Sequence, residues 1–294
     1  MAKVGFYRGN KDYIDALPVA DGQLVYNTET GETYEDVGFK RIPTGGGGGG
    51  YPQDNPAMTH NLPRGKKLGT NVTAEQYAAI ADGSFKDLYV GDYWTIGGRD
   101  YVIAGINYYK NCGDTSTSKN HLVMVPRANL YDAQMHNTES GGYEPGEANT
   151  TVGGYVNSDM RTTNLEKAKT MINEAFPGHV LTKRLLLVNA VANGQASSSA
   201  WVDSTVDLMN EQMVYGCPVV QNMRHEGSGA YNYRIEKTQL PIFAHAPEMM
   251  NIRDSYWLQD VCSASSFVFV SYAGYAYDLL ASRTLGVRPA FIIG

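Results

Sequence analysis

Histidine and cysteine are the side chains that most often hold metals or attack substrates, and in this chain both are scattered. The histidines stand at 60, 121, 136, 179, 225 and 245, and the cysteines are Cys112, Cys217 and Cys262. No short spacing among them fits a zinc site or a disulfide framework. The sequence holds no HExxH, no G-x-S-x-G and no glycine-rich phosphate loop of useful spacing. "GGRD" at 97–100 reads as a turn, His121 beside "LVMV" as a satisfied strand-edge residue, and Cys262 has no histidine after it to activate a thiolate. These residues predict no catalytic group, no cofactor and no metal site, so the chain is not expected to be an enzyme.

The totals narrow the class further. The chain has 294 residues and a formal charge of −6, with ordinary apolar content, as in a soluble globular protein. An acidic balance argues against a nucleic-acid partner, because phosphate binding wants a basic face. No apolar run reaches membrane-spanning length, so membrane insertion is not expected. The opening "MAKVGFYRGN" lacks the layout of a signal peptide, so the glycosylation triplets at Asn71 and Asn149 carry no weight. The 32 glycines and 21 tyrosines point to turn-rich, β-leaning structure with aromatic surface to spare.

Three segments follow. Residues 1–44 hold the strand-like runs "KVGFYRG", "QLVYNTE" and "GETYEDV", with Glu29-Thr30-Gly31 as a hairpin loop. About forty residues bury too little to stand alone, so this module is expected to oligomerise or dock. Residues 45–66 form a linker: Gly45 to Gly50 cost much entropy to order, and six such residues span on the order of 13 Å. Pro52, Pro56 and Pro63 extend its irregular character.

Residues 67–294 form the main domain. "TAEQYAAIADG" is a helix capped by Thr73 with Gln76 reaching back and Gly83 ending it. A hairpin turns at Gly97-Gly98, and "HLVMVPR" is a buried strand stopping at Pro126. Residues 127–162 read as a long polar loop. A second helix opens with Thr163 and Glu166 as a capping box and buries Leu165, Ala168, Met171, Ile172 and Ala175. "HVLTKRLLLVNAV" is strand-like, and "STVDLMNEQMVYG" is a helix capped near Ser204 and closed by Gly216. The remainder reads as short strands and loops. The expected class is α+β.

The last stretch, "YWLQDVCSASSFVFVSYAGYAYDLLASRTLGVRPAFIIG" at 256–294, scatters Ser, Tyr, Asp, Leu and Arg without helical period before "GVRPAFIIG", which reads as a core strand. Pro289 places that strand at an edge or at its own start. This segment resembles the variable region of proteins diversified by retroelements in phages and gut bacteria. The frame that carries the resemblance is Trp257, Leu258, Asp260, Ser263 to Ser265, Gly274, Ala281-Ser282 and Gly286 to Phe291. In that family, adenine-directed mutagenesis of an AAC codon yields Tyr, Ser, Phe, Leu, Asp, Arg, Ala or Cys, and never Lys, Glu, Gln, Met or Trp. Residues 266–285 contain none of those five, where ordinary usage gives roughly four.

The resemblance implies varied, ligand-binding positions at Ser266, Phe269, Ser271, Tyr272, Ala273, Tyr275, Tyr277, Asp278, Leu279, Leu280, Arg283 and Leu285. Val268, Val270, Gly274, Ala276, Ala281, Ser282 and Gly286 are then scaffold, with Thr284 and Cys262 undecided. It further implies a C-type-lectin-like fold of the formylglycine-generating-enzyme branch. Lectin calcium and sugar motifs are not matched: "EPG" at 144–146 and "WVD" at 201–203 are incomplete. The N-terminal module is similar to short β modules that begin phage tail and baseplate proteins. The implied protein is a phage tail-fibre or receptor-binding protein, made in the host cytoplasm and carried on the virion. Its expected partners are a host cell-surface protein or glycan, phage tail or baseplate proteins, and two further copies in a homotrimer. The alternatives are a bacterial or prophage-encoded display protein with the same head and, further off, an enzyme of the formylglycine-generating type.

Overall fold

A computed structural model describes residues 5–30, 32–37, 40–43, 60, 63–115, 117–136, 150–220 and 238–294. Gly31, the glycines at 45–50, Pro52, Pro56, Asn149, His225 and the "EPG" at 144–146 lie outside the described residues. The chain divides into two compact units, Met1–Pro56 and Ala57–Gly294.

In the first unit all three strand-like runs form strands, joined by a fourth. Strands β1 (Gly5–Gly9), β2 (Gln23–Asn27), β3 (Thr33–Val37) and β4 (Lys40–Pro43) lie in that order in one sheet. β1 and β2 are parallel, which requires a crossover, and helix α1 (Lys11–Ala16) supplies it. The Asn10 side chain caps α1 by accepting from Tyr13 N–H at 3.0 Å. No helical signal shows in the sequence there, because six residues are too few for a period to show. Ile14 and Val25 are buried, and beside them the buried Asp36 carboxylate meets the Arg41 guanidinium at 2.8 Å.

The second unit begins before the expected residue 67. Arg64 donates to the buried Asp92 at 2.6 Å and Lys66 N–H to the same carboxylate at 2.9 Å, tying this segment to the domain. Strand β5 (Lys67–Gly69) leads to helix α2 (Ala74–Ala81), where Thr73 and Gln76 form the expected capping box. Strands β6 (Tyr93–Ile96) and β7 (Arg99–Ile106) turn at Gly97 and Gly98, with φ of +57° and +77° that suit glycine. β8 (Leu122–Pro126) is buried throughout.

Strand β9 (Tyr131–Gln134) rises inside the stretch expected to be loop. Its alternation is too short and too polar to register in sequence, and it forms by pairing with a strand 150 residues away. The second helix, α3 (Leu165–Ala175), buries Leu165, Ala168 and Ile172 as expected, with Met171 and Ala175 half-buried. Its capping box does not form. The chain enters α3 already coiled, through a wide π-type turn at Met160–Asn164, and Glu166 pairs with Lys169 at 2.6 Å instead.

"HVLTKRLLLVNAV" yields two strands, β10 (Val180–Leu181) and β11 (Lys183–Ala192); β11 forms a two-stranded ribbon with β12 (Gln195–Ser204). The helix expected from Ser204 is instead strand β13 (Val206–Leu208) followed by helix α4 (Glu211–Tyr215). Asn210 caps α4, and Gly216 closes it at φ +79°. Pairing of β13 with the last strand buries Val206, Asp207 and Leu208, and that pairing overrides helical propensity. Helix α5 (Pro241–His245) was not expected; Pro241 at its first turn starts it.

The C-terminal strands are β14 (Tyr256–Val261), β15 (Ser266–Val270), β16 (Ala276–Leu280), β17 (Thr284–Val287) and β18 (Pro289–Ile293). "GVRPAFIIG" is therefore two strands rather than one, broken at the buried Arg288. β18 starts at Pro289, which needs no N–H there, and runs between β8 and β10. The sheet order β10-β18-β8-β7-β6-β5, with β13 also on β18, makes the core layer; the second sheet is β16-β15-β14-β17-β9. Tyr101, Phe176 and Phe291 pack edge-on or tilted at 5.2–5.9 Å in the core. This is a mixed, mostly β architecture with few helices, an α+β fold.

Candidate binding face

Alternation along the β15–β16 hairpin sorts its side chains. Val268, Val270 and Ala276 are buried, as are Ala281, Ser282, Val287 and Ala290 beyond it. β14, the middle strand, is buried along its whole length. Between these fixed points Tyr272, Tyr275 and Tyr277 are 66%, 55% and 58% exposed, and Ala273 is exposed beside them. Phe269, Leu279, Arg283 and Leu285 are half-buried, and so are Asp278 and Leu280, which stand opposite Val268 and Ser266 and therefore turn to the other face of the hairpin from Tyr277. Ser266 and Ser271 lie beneath the surface, so two of the twelve expected positions are not part of the exposed face.

An aromatic ladder ties the face to the core. Trp257 is buried and its Nε1–H donates to Ala133 O at 3.0 Å. Phe269 sits edge-on to Trp257 at 6.2 Å, Tyr277 edge-on to Phe269 at 6.2 Å, and Tyr275 edge-on to Tyr277 at 6.4 Å. Such T-shaped pairs each add about 0.5–1.5 kcal/mol beyond burial, which limits the freedom of the exposed rings. Directly opposed residues on β15 and β16 include Phe269 with Tyr277 and Phe267 with Leu279, and Phe267 is buried.

The turn between the strands is held from several directions. Ser271 N–H donates to Tyr275 O at 2.9 Å, and Gly274 N–H to Ser271 O at 2.8 Å. The Ser271 hydroxyl accepts from Ala273 N–H at 3.2 Å, which gives this buried serine a turn-forming role. Tyr272 N–H donates to Ser255 Oγ at 3.0 Å, and the Tyr215 hydroxyl donates to Gly274 O at 3.1 Å. Gly274 has φ +88°, and a Cβ there would meet Asn251 Cβ at 3.0 Å, so both conformation and space require glycine. Ser255, Asn251 and Tyr215 support the face yet carry no sequence signal, since each acts across the fold.

Other frame residues have structural tasks. Asp260 accepts from Glu211 N–H at 2.7 Å and so satisfies the first turn of α4. Ser263 Oγ accepts from the N–H groups of Ser265 and Ser266 at 3.3 and 3.1 Å, closing the turn before β15. A Cβ on Gly286 would collide with the Asn129 side chain, which donates to Asp254 at 2.7 Å and to Ser255 O at 3.1 Å. Thr284 is exposed, whereas Cys262 is half-buried.

The chemistry of the neighbouring groups is quiet. Burial, with Asp278 and Glu211 nearby, pushes the Cys262 thiol up to about 11, so it stays protonated at neutral pH. His121 is fully buried; its ring accepts from Tyr109 N–H at 3.1 Å and meets Lys119 O at 3.0 Å. Among the described residues no three His, Cys, Asp or Glu side chains are grouped to hold a metal ion. Nor does any described helix have the length and apolarity to cross a membrane. A cleft of about 270 Å³ lined by Arg99, Asp100, Arg127 and Asn129 shares no residue with the tyrosine face. Comparison with protein-family models, curated proteins and solved structures found no match to this chain.

Proposed function

We propose that this chain is a phage receptor-binding protein whose head binds a host-surface ligand through the Tyr272–Tyr275–Tyr277 face. The reading includes a C-type-lectin-like head, a trimeric N-terminal module that attaches to the tail, and location on the virion. Its mechanism is non-covalent recognition. The observation that supports it most is the sorting along residues 256–291: frame positions such as Trp257, Val268, Ala276, Ala281 and Phe291 are buried, while the tyrosines between them are exposed. A sequence can change freely at such tips without disturbing the scaffold.

Tyrosine suits this task because it offers a large contact area, few rotatable bonds and a polar end. The hydrogen-bonded turn and the ladder to Trp257 reduce the ordering cost of binding. Several heads on one particle would turn modest individual contacts into firm attachment. The test is to sequence the DNA flanking the gene. A near-copy of codons 256–294, differing mainly at its adenines and beside a reverse transcriptase gene, is the expected result. Its absence would overturn the diversified-receptor reading and leave a protein of fixed specificity.

A further inference from the structure

The cleft of about 270 Å³ lies between the β6–β7 turn and the loop that follows β8, and positive charge dominates its lining. Arg99 is exposed and forms no ion pair among the described residues; its Nη1–H reaches Gly97 O at 3.3 Å. Arg127 lays its guanidinium over the Tyr93 ring at 4.6 Å and donates from Nε–H to Asp100 at 3.2 Å. Its Nη1–H meets only the weak thioether acceptor of Met249, at 3.8 Å, and its Nη2 meets no acceptor among the described residues. Asp100, the one acid in the lining, is already engaged, since its other oxygen accepts from the Thr95 hydroxyl at 2.7 Å.

A third guanidinium stands behind these two. The fully buried Arg288 donates to the carbonyl of Pro126, a cleft residue, and to that of Met249, whose sulfur Arg127 touches. Its Nη2 has no hydrogen-bond partner, and no carboxylate pairs with it among the described residues. The ring faces of Tyr256 and Phe243 offset part of its charge. A buried cation without a counter-ion is costly, and an anion in the adjacent cleft lowers that cost. In the loop itself, the N–H groups of Ala128 and Asn129 meet no acceptor among the described residues.

We propose that this cleft binds the carboxylate of a sugar acid through Arg99 and Arg127. A guanidinium fork matches a carboxylate with two parallel hydrogen bonds. Asp100 in the lining and Asp254, bonded to Asn129 at 2.7 Å, disfavour a second negative charge, so a carboxylate is preferred to a phosphate. The cleft has the space of about nine waters, enough for one ring rather than a chain. Ring hydroxyls supply acceptors for the loop N–H groups. The site shares no residue with the tyrosine face and does not depend on that reading.

The test titrates the full chain with glucuronate, galacturonate and N-acetylneuraminate, each against its neutral amide, by calorimetry or ligand-observed NMR. The tightest acid is expected to bind at least about tenfold better than its amide, the worth of one hydrogen bond to a charged group. Added salt should weaken the acid and leave the amide unchanged, a readout that needs no variant. Two neighbouring substitutions should act with opposite signs. Arg127→Met weakens the acid about tenfold or more, whereas Asp100→Asn removes the competing charge, keeps an acceptor for Thr95 and tightens binding. An ion pair with a merely structural role would weaken binding in both. An oligosaccharide ending in that acid assigns the site to a glycan if it binds more tightly than the free acid, and to the free acid if the two bind equally. The proposal is overturned if acid and amide bind alike, if both substitutions weaken binding, if a sulfated sugar outbinds every acid, or if no acid binds at millimolar concentration.

Discussion

Arg288 joins the sheet that carries the exposed tyrosines to the core sheet, and its loss should be felt in stability. It is fully buried at the step between β17, in the sheet that carries the tyrosines, and β18, in the core sheet. Its Nε–H donates to Pro126 O at 2.8 Å and its Nη1–H to Met249 O at 2.9 Å. The guanidinium lies over the rings of Tyr256 at 5.0 Å and Phe243 at 5.6 Å. Truncation to alanine strips two buried carbonyls of their donor, at about 1–3 kcal/mol each. It also leaves a void worth about 2–5 kcal/mol. Removing the buried charge offsets several kcal/mol of this. Methionine fills the void and shares every other consequence with alanine. Arg288→Ala should therefore be less stable than Arg288→Met by about 2–5 kcal/mol. Arg288→Lys keeps a buried charge but cannot span both carbonyls, so it should also fall below Arg288→Met. Urea unfolding of the full chain, followed by tryptophan fluorescence, gives the three values. Equal stability of the alanine and methionine variants would show that the side chain fills no packed space, and would refute the argument.

The face and the layer beneath it should respond in opposite ways. Tyr272→Ser should change stability by about 0.5 kcal/mol or less, Tyr275→Ser and Tyr277→Ser should lose one and two edge-on ring contacts of about 0.5–1.5 kcal/mol each, and Phe267→Ala should cost about 3–5 kcal/mol. Thermal melts of the four variants decide this, and a tyrosine variant as unstable as Phe267→Ala would place that ring in the core. Acid should weaken the second unit through His121, whose imidazole burial pushes down to about 4 from an ordinary 6.5. The unfolded chain then binds the proton first, so stability is present above about pH 6.5 and declines as pH falls toward 4. His136 is shifted down by burial as well and should add to the decline. Urea midpoints across that range should lose part of their slope in His121→Gln, and an unchanged slope would count against the assignment.

Local chemistry was legible in the sequence wherever it acts over a few residues. Thr73 and Gln76 make their capping box, Gly97-Gly98 turn the hairpin, and the apolar face of α3 packs where its period places it. The alternation of "SFVFV" marked β15, where Val268 and Val270 are buried, but of the frame residues Ala264 is exposed and Ser263, Ser265 and Gly274 are half-buried. Ser266 and Ser271 misled because serine suits a displayed surface and a buried turn equally well.

What failed did so for long-range reasons. "STVDL" has acceptable helical composition, yet Val206 to Leu208 form a strand because β18 offers them a partner more than eighty residues away. "GVRPAFIIG" reads as continuous, but its two halves belong to different sheets and Arg288 fills the step. The amino-acid sequence by itself determined the short-range elements, the acidic balance and the alternation of side chains along β15. Only the tertiary structure decided which tyrosines reach solvent, which carbonyls Arg288 satisfies and which strands neighbour one another in the two sheets. Those outcomes depend on contacts between residues far apart in the chain, which no local pattern encodes.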